Sequence, residues 1–392
     1  MHDVVVVGLG PAGSTAAYEL ASAGLKVLGI DKSSFPRYKS CGGCISPKVQ
    51  GILDYDISEV VEDTVYGAMF TYRSERELYI AGDKPVGYNV MRDRFDSFLL
   101  KKAMDAGAEV LQETRVVSVS ENSTHVDVAC STGKVFSAKY VVGADGASGF
   151  VGRTHFGMRP KECAVSITAE VPYPRDASSD IKGRLFIDFG SVPFGYSWIF
   201  PKEKFLSVGI AGDADKAGNR IKDYFNSFVS THPLLRNIEI NERTGWTVPV
   251  FYGPTQRVTK NRVLVVGDTG HLVDPFLGEG IYYAMRTAKA ASFAIIDALK
   301  GAISGLSAYQ SWVEKELYPE FADAMRLSDL IYKYPRLWYS ILEKDPGIML
   351  RYYGVIRGEE DCKSFYSWVQ SKVRSKPWKL LRRWFESRSI PA

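Results

Sequence analysis

The chain has 392 residues, of which 45% are hydrophobic and 24% charged, and its net charge is +4. That length is too great for one small core and fits two or three domains, and the composition is that of a globular protein. The near balance of charge gives no overall field for a nucleic-acid partner.

Five cysteines are scattered along the chain. They form no disulfide framework, so a reducing compartment is expected. The N-terminus lacks the basic start, apolar core and small-residue site of a signal peptide. No stretch approaches ~18 uninterrupted apolar residues. A cytoplasmic location is expected, with peripheral attachment to the cytoplasmic face of a membrane left open.

In chain order, Asp3-Val4-Val5-Val6-Val7 has the continuous apolar run of a parallel strand buried on both faces. A glycine-rich turn follows, then helical composition over residues 12–23, stopped by Gly24. Residues 26–31 form the second strand and complete a βαβ unit. Residues 32–60 are expected to form a loop and helix around Cys41-Gly42-Gly43-Cys44. Short strands are expected over 65–90. A helix is expected over 92–106, with Phe95, Phe98, Leu99 and Ala103 on one face. Strands at 110–119 and 125–130 return as a meander to residues 139–143. Residues 161–250 read as a separate antiparallel sheet, with strands near 164–171, 184–189 and 206–211. A buried strand at 262–268 leads into a helix near 280–299, and beyond 300 the chain is helical and aromatic.

The turn Gly8-Leu9-Gly10-Pro11-Ala12-Gly13 directly follows a strand and opens a helix. Gly8 permits the tight turn, Gly10 lets the backbone approach a pyrophosphate, and Gly13 lets helix and strand pack closely. The helix N-terminus then faces the phosphates. Asp31 ends the second strand, where a carboxylate can accept both ribose hydroxyls. A tight turn with no ligand is the alternative, and this motif alone does not separate FAD from NAD. Two further apolar strands end in Gly143-Ala144-Asp145-Gly146 and Gly267-Asp268-Thr269-Gly270-His271. The second continues through Asp274-Pro275-Phe276-Leu277-Gly278-Glu279-Gly280 to a helix. Three such turns at strand carboxyl ends point to one long ligand touched at several places. Asp268 can take a ribityl hydroxyl, and the N–H groups of Gly278, Gly280 and Ile281 can face the polar edge of a flavin.

This set of motifs resembles the para-hydroxybenzoate-hydroxylase-like FAD superfamily over roughly residues 1–300. The resemblance implies an α/β fold: a Rossmann-like FAD-binding domain, an antiparallel β-sheet substrate domain and a C-terminal helical region. The expected boundaries are 1–64, 88–160 and 262–300 for FAD, 65–87 and 161–261 for the substrate sheet, and 301–392 for the helices. Arg92 matches the arginine that touches the cofactor in that superfamily, in preference to Arg94. Pro11, Ala12, Lys32, Cys41, Gly42, Gly43 and Val116 are further expected cofactor contacts.

Tyr196, Trp198 and Phe200 alternate along Pro193-Phe194-Gly195-Tyr196-Ser197-Trp198-Ile199-Phe200-Pro201, which puts three rings on one strand face. By itself this is a sheet face packed on a core. Within the superfamily it is similar to the Tyr-x-Trp-x-Phe-Pro signature of geranylgeranyl reductases, and Cys41-Gly42-Gly43 is similar to their loop near the flavin. The resemblance implies saturation of isoprenoid double bonds on a membrane-lipid, quinone or chlorophyll-type precursor. Tyr196, Trp198 and Phe200 would hold the polyprenyl chain. Cys41 is the first candidate proton donor and Tyr196 the second, with Trp198 as a cation-stabilising ring. A structural role is preferred for His271. Cys41 and Cys44 could pair as a regulatory disulfide, and no metal site is expected. Ferredoxin and NADPH both stay open as electron donor.

The alternatives are a flavin-dependent monooxygenase, a halogenase using Lys39 in Arg37-Tyr38-Lys39, or a non-enzymatic prenyl-lipid-binding flavoprotein. In the tail, Lys372, Arg374, Lys376, Lys379, Arg382, Arg383 and Arg388 oppose Glu386, and Trp378, Leu381, Trp384 and Phe385 recur at helical spacing. This suits a helix lying on an anionic membrane, or one docked on the body with its basic face in water.

Overall fold

A computed structural model describes residues 1–158, 163–174, 181–254, 257–302 and 305–375. The strand His2–Val7 lies at the centre of an eight-stranded sheet. Its neighbours Val27–Ile30 and Val135–Gly143 run parallel to it, as do Glu109–Leu111 and Val263–Val265 beyond them. Val4 to Val7 are buried, so branched apolar side chains fill both faces. The helix Pro11–Ser22 packs against both Arg92–Asp105 and Ile281–Leu299. The strands Val116–Glu121 and Val126–Cys130 extend the sheet as an antiparallel meander.

A second sheet has seven strands, with Gly195–Pro201 between Phe205–Asp213 and Arg184–Phe189. It is not wholly antiparallel: Arg184–Phe189 pairs in parallel with Gly67–Tyr72. These two strands are separated by the long excursion through the first sheet, so no hairpin dictates their direction. A small sheet of Cys44–Ile45, Gly87–Val90 and Val61–Val65 joins the cysteine loop to the body.

Three local expectations change. Residues 32–60 carry two short 3₁₀ turns, Pro47–Gly51 and Ser58–Val60, where a loop and a helix were expected. Pro47 and Gly51 bound the first turn and leave no room to propagate. The strand expected over 110–119 breaks between Glu109–Leu111 and Val116–Glu121, because Thr114 N–H turns back to donate to Asp31 O at 2.8 Å. The strand expected over 262–268 is Val263–Val265, and Gly267 at φ +53° starts a 3₁₀ turn.

Helices after residue 305 cover the second sheet, and their tyrosines serve as hydrogen-bonded plugs. The Tyr353 hydroxyl accepts from Ala68 N–H at 3.0 Å and donates to Ile80 O at 2.9 Å. Among the described residues, no helix is long and apolar enough to cross a membrane. Lys372 lies on the last described helix, Cys362–Ser375, and pairs with Asp345 at 2.7 Å. The rest of the expected amphipathic segment, 376–392, lies outside the described residues.

Candidate active site

One cavity of about 800 Å³ gathers residues from both large sheets and the C-terminal helices. Gly8, Gly10, Pro11, Ala12, Asp31 and Lys32 line it from the first βαβ unit. Asp145 and Gly146 line it from the second motif, and Asp268, Gly278, Gly280 and Ile281 from the third. Cys41, Gly42, Gly43, Arg92, Tyr196, Trp198 and Phe200 complete it. Two expected contacts do not line it. A Cβ on Gly13 would lie 1.8 Å from Gly8 O, so this glycine serves helix–strand packing. Val116 is buried in the core of the first sheet, because the turn at residues 112–114 directs its strand into the meander.

Gly8 has φ +91°, and its missing Cβ would meet Ala144 O at 2.4 Å. The turn is therefore pinned against the second motif. The helix Pro11–Ser22 starts at Gly10 with no side-chain cap, which leaves its first N–H groups free of side-chain competition. Asp31 does more than the sequence indicates. Its carboxylate accepts from Leu9 N–H at 2.7 Å and Ser33 N–H at 2.8 Å, tying the glycine turn to the end of the second strand.

Arg37 escapes sequence reasoning as a site residue, because it sits in a loop with no spacing rule. Its Nη2 lies 3.0 Å from Asp96, and Nη1 is buried with no hydrogen-bond partner among the described residues. Arg92 grips the same carboxylate through Nε and Nη2, each at 2.8 Å. Burial opposes the charge on Arg92, but Asp96 and the Cys41 sulfur outweigh it, so its pKa stands above the ordinary value. Two guanidinium groups share one carboxylate, which leaves net positive charge beside the glycine turn.

The second and third motifs are joined. Gly146 N–H donates to Thr269 Oγ1 at 2.8 Å, and the half-buried Asp145 carboxylate accepts from Val151 N–H at 3.0 Å. Asp274 shapes the turn before the last motif by accepting from Phe276 and Leu277 N–H at 2.8 and 2.6 Å. Burial pushes its pKa up to about 6. This turn presents the uncapped N-terminus of Ile281–Leu299 to the cavity.

The aromatic strand faces the cavity as one wall. Ring centroids are 6.0 Å apart for Tyr196 and Trp198, and 6.1 Å for Trp198 and Phe200. The cysteine loop lies against this wall: a Cβ on Gly42 would sit 2.8 Å from the Phe200 ring. Lys202, just past the strand, is buried and donates to Gly42 O, Gly43 O and Val90 O at 2.7, 2.8 and 3.0 Å. Burial lowers its pKa. Its sequence signal is a lone lysine ending an apolar strand, which alone reads as a surface residue.

Gly43 N–H donates to Cys41 Sγ at 3.3 Å. Both Cys41 and Cys44 are free thiols, so the disulfide that could join them is not formed. Burial pushes the Cys44 thiol up to about 12, which makes it a poor nucleophile. The Tyr196 hydroxyl donates to Leu277 O at 2.5 Å, and burial raises its pKa. Lys39 lines the cavity with its ammonium 3.7 Å from the Trp246 ring centre, and burial together with Arg92 lowers its pKa to about 8. His271 is buried outside the cavity lining, its ring against Tyr252 at 5.9 Å.

These residues fit an FAD. The cradle admits backbone contact where a Cβ would intrude, two uncapped helix N-termini open onto one space, and positive charge stands beside the first. The volume falls within the range of cofactor sites, roughly 300–1,000 Å³. Residues 1–171 match the model of an FAD binding domain. The fold and site define an FAD-dependent oxidoreductase.

The digeranylgeranylglycerophospholipid reductase 2 of Methanopyrus kandleri is 30% identical over 97% of this chain and 98% of its own length. That of Methanosarcina acetivorans is 32% identical over 80% of each chain. The chain belongs to the geranylgeranyl reductase family. A geranylgeranyl bacteriochlorophyll reductase-like protein from Thermoplasma acidophilum shares the fold, with a TM-score of 0.75 at 24% identity over 84% of this chain and 87% of the other. The flavin-dependent brominase Bmp2 shares it too, with a TM-score of 0.72 at 21% identity over 95% and 99%. At such identity these two likenesses speak for the fold alone.

Proposed function

We propose that the chain saturates the double bonds of a geranylgeranyl lipid, with a digeranylgeranylglycerophospholipid as the substrate class its relatives' names point to. The observation that carries this is the continuity of the cavity. From the wall of Tyr196, Trp198 and Phe200 it runs on among Tyr332, Trp338 and Tyr352 of the C-terminal helices. A long chain with only apolar surface and π-bonds matches such a lining.

Reduced FAD, when bound, supplies two electrons and one of the two hydrogens for each bond saturated. The protein's part is alignment, exclusion of water and delivery of the second hydrogen as a proton. Asp31, Arg92, Asp145, Asp268 and the glycine turns would hold the cofactor. The three rings would hold the chain and favour positive charge developing on an alkene carbon. Cys41 is the proton donor in this reading. It lines the cavity beside the aromatic wall, whereas the Tyr196 proton is committed to Leu277 O. The two sheets would serve as cofactor and substrate domains, and the basic tail would bring the enzyme to an anionic membrane.

The test reduces the bound FAD anaerobically and adds a geranylgeranylated glycerophospholipid. Flavin reoxidation with loss of double bonds is expected. Reoxidation only on admitting oxygen, with hydroxylated or halogenated product, would reject the reading.

A further inference from the structure

Glu170 lies on Ala164–Pro172, the strand beside Phe205–Asp213, and is the cross-strand partner of Ser207. Ser207 Oγ donates to Glu170 Oε1 at 3.2 Å and lies 3.5 Å from the carbonyl oxygen of Cys41. The other carboxyl oxygen, Oε2, is buried with no hydrogen-bond partner among the described residues. A buried carboxyl oxygen left without a partner is costly, and is retained where it has a task. A small cavity of about 10 Å³, separate from the large one, is lined by both Cys41 and Glu170. That is about the space of one water molecule. Cys41, with Tyr38, Lys39 and Arg92, lines both cavities, so it borders the substrate chamber and the pocket that Glu170 lines.

We propose that Glu170 returns a proton to Cys41 through this small cavity after each double bond is saturated. The inference rests on the reading of Cys41 as proton donor. In the first step the Cys41 S–H bond breaks and a C–H bond forms on the substrate, leaving a thiolate. In the second the Glu170 O–H bond breaks and the S–H bond re-forms. The carboxylate then takes a proton from solvent water. No electrons move in the relay, since both come from the reduced flavin. A substrate with several double bonds needs such a route, because each saturation consumes one proton inside an apolar chamber.

The surroundings suit the task. Burial raises the Glu170 carboxyl to about 7, which Lys202 and the Ser207 hydrogen bond moderate and Glu62 and Asp93 reinforce. A group poised there both gives and takes a proton near neutral pH. Tyr38, Lys39, Arg92 and Asp93 also line the small cavity. Of these, Arg92 is held by Asp96 and also interacts with Cys41, and Lys39 turns its ammonium onto the Trp246 ring while also feeling the Cys41 sulfur.

The experiment uses the FAD-loaded full chain and Glu170→Gln. The first readout is alkylation of Cys41 by iodoacetamide against pH, followed by peptide mass spectrometry. Removing a neighbouring carboxylate should lower the midpoint by about 0.5 pH unit or more. The second readout is turnover on a geranylgeranylated glycerophospholipid. The first bond reduced in a single turnover should proceed within about threefold of the parent, while steady-state turnover falls about tenfold or more. An unchanged midpoint and unchanged steady-state turnover would overturn the relay. Should the Gln variant lose FAD, Glu170→Asp, which withdraws the carboxyl from the cavity, should lower steady-state turnover in the same direction; unchanged turnover overturns the relay equally. Cys41→Ser separates the two ideas. If it turns over like the parent, the donor reading fails. If it is inactive while Glu170→Gln matches the parent, the relay alone fails.

Discussion

The ammonium of Lys202 donates to the carbonyl oxygen of Gly42 at 2.7 Å, so a buried cation at the end of the aromatic strand grips the backbone of the cysteine loop. Two further carbonyls, of Gly43 and Val90, complete its shell. The loop that carries Cys41 is thereby fixed relative to Trp198 and Phe200.

Replacing Lys202 with Met keeps an unbranched side chain, one atom shorter, and removes all three donors. Gly43 O keeps Val90 N–H as a donor at 2.8 Å, and each buried carbonyl left without a partner costs about 1–3 kcal/mol. The melting temperature should fall by several degrees, and turnover should drop about tenfold or more as the loop loses its fixed position. FAD content, read from flavin absorbance, should stay near that of the parent, because the glycine cradle lies elsewhere. Unchanged turnover would show that the clamp does not position the loop.

Gly10 and Gly42 separate two kinds of close approach. A Cβ on Gly10 meets nothing nearer than Arg37 Nη2 at 3.5 Å, so the protein itself tolerates Gly10→Ala. The methyl group points into the space assigned to the pyrophosphate. FAD affinity should fall with little change in the melting temperature of the apoprotein. Gly42→Ala instead forces a Cβ to 2.8 Å from Phe200 and 3.0 Å from Trp198 Nε1. It should keep FAD and lose turnover. Flavin absorbance after gel filtration, set beside turnover, distinguishes the two.

Much of this was legible in the sequence, since local signals carry it. The run Val4 to Val7, the glycine spacing and the acidic strand ends each follow from one short stretch. The alternation of Tyr196, Trp198 and Phe200 places three rings on one face with no tertiary information. What escaped depends on contacts between distant segments. Arg37, Lys202 and Glu170 take their meaning from Asp96, Gly42 and Ser207, partners 59, 160 and 37 positions away. The parallel pairing of Gly67–Tyr72 with Arg184–Phe189 is non-local in the same way. Asp31 was placed correctly at the strand end, but its backbone partners Leu9 and Ser33 became visible only in the fold.

Tyr196 and Cys41 make opposite predictions as proton donors. Tyr196→Phe keeps the ring against Trp198 and removes only the hydrogen bond to Leu277 O. Turnover should stay within about fivefold of the parent, whereas loss of a general acid costs about 100-fold or more, as expected for Cys41→Ser. Anaerobic single-turnover rates on the same lipid substrate check both. A collapse in Tyr196→Phe with an active Cys41→Ser would reverse the assignment.

His232 couples stability to pH, away from the site. Its ring is 2% exposed and sits edge-on to Phe186 and Phe228 at centroid distances of 6.4 and 5.4 Å. Leu234 N–H donates to Nδ1 at 3.3 Å, which requires that nitrogen to be unprotonated. Burial lowers the pKa to about 4, against 6.5 for an ordinary histidine. The folded value is the depressed one, so the unfolded chain binds the proton first as pH falls. The associated stability is present above about pH 6.5 and is lost on descending through about pH 4. A shift of this size corresponds to roughly 3 kcal/mol in full, of which about 2 kcal/mol is lost between pH 7.5 and 5. Urea unfolding followed by tryptophan fluorescence at these two pH values should show that loss in the parent. His232→Phe leaves Leu234 N–H without its acceptor and is less stable at pH 7.5, but its midpoint should move far less between the two conditions. An equal shift in parent and variant would assign the acid sensitivity to other groups.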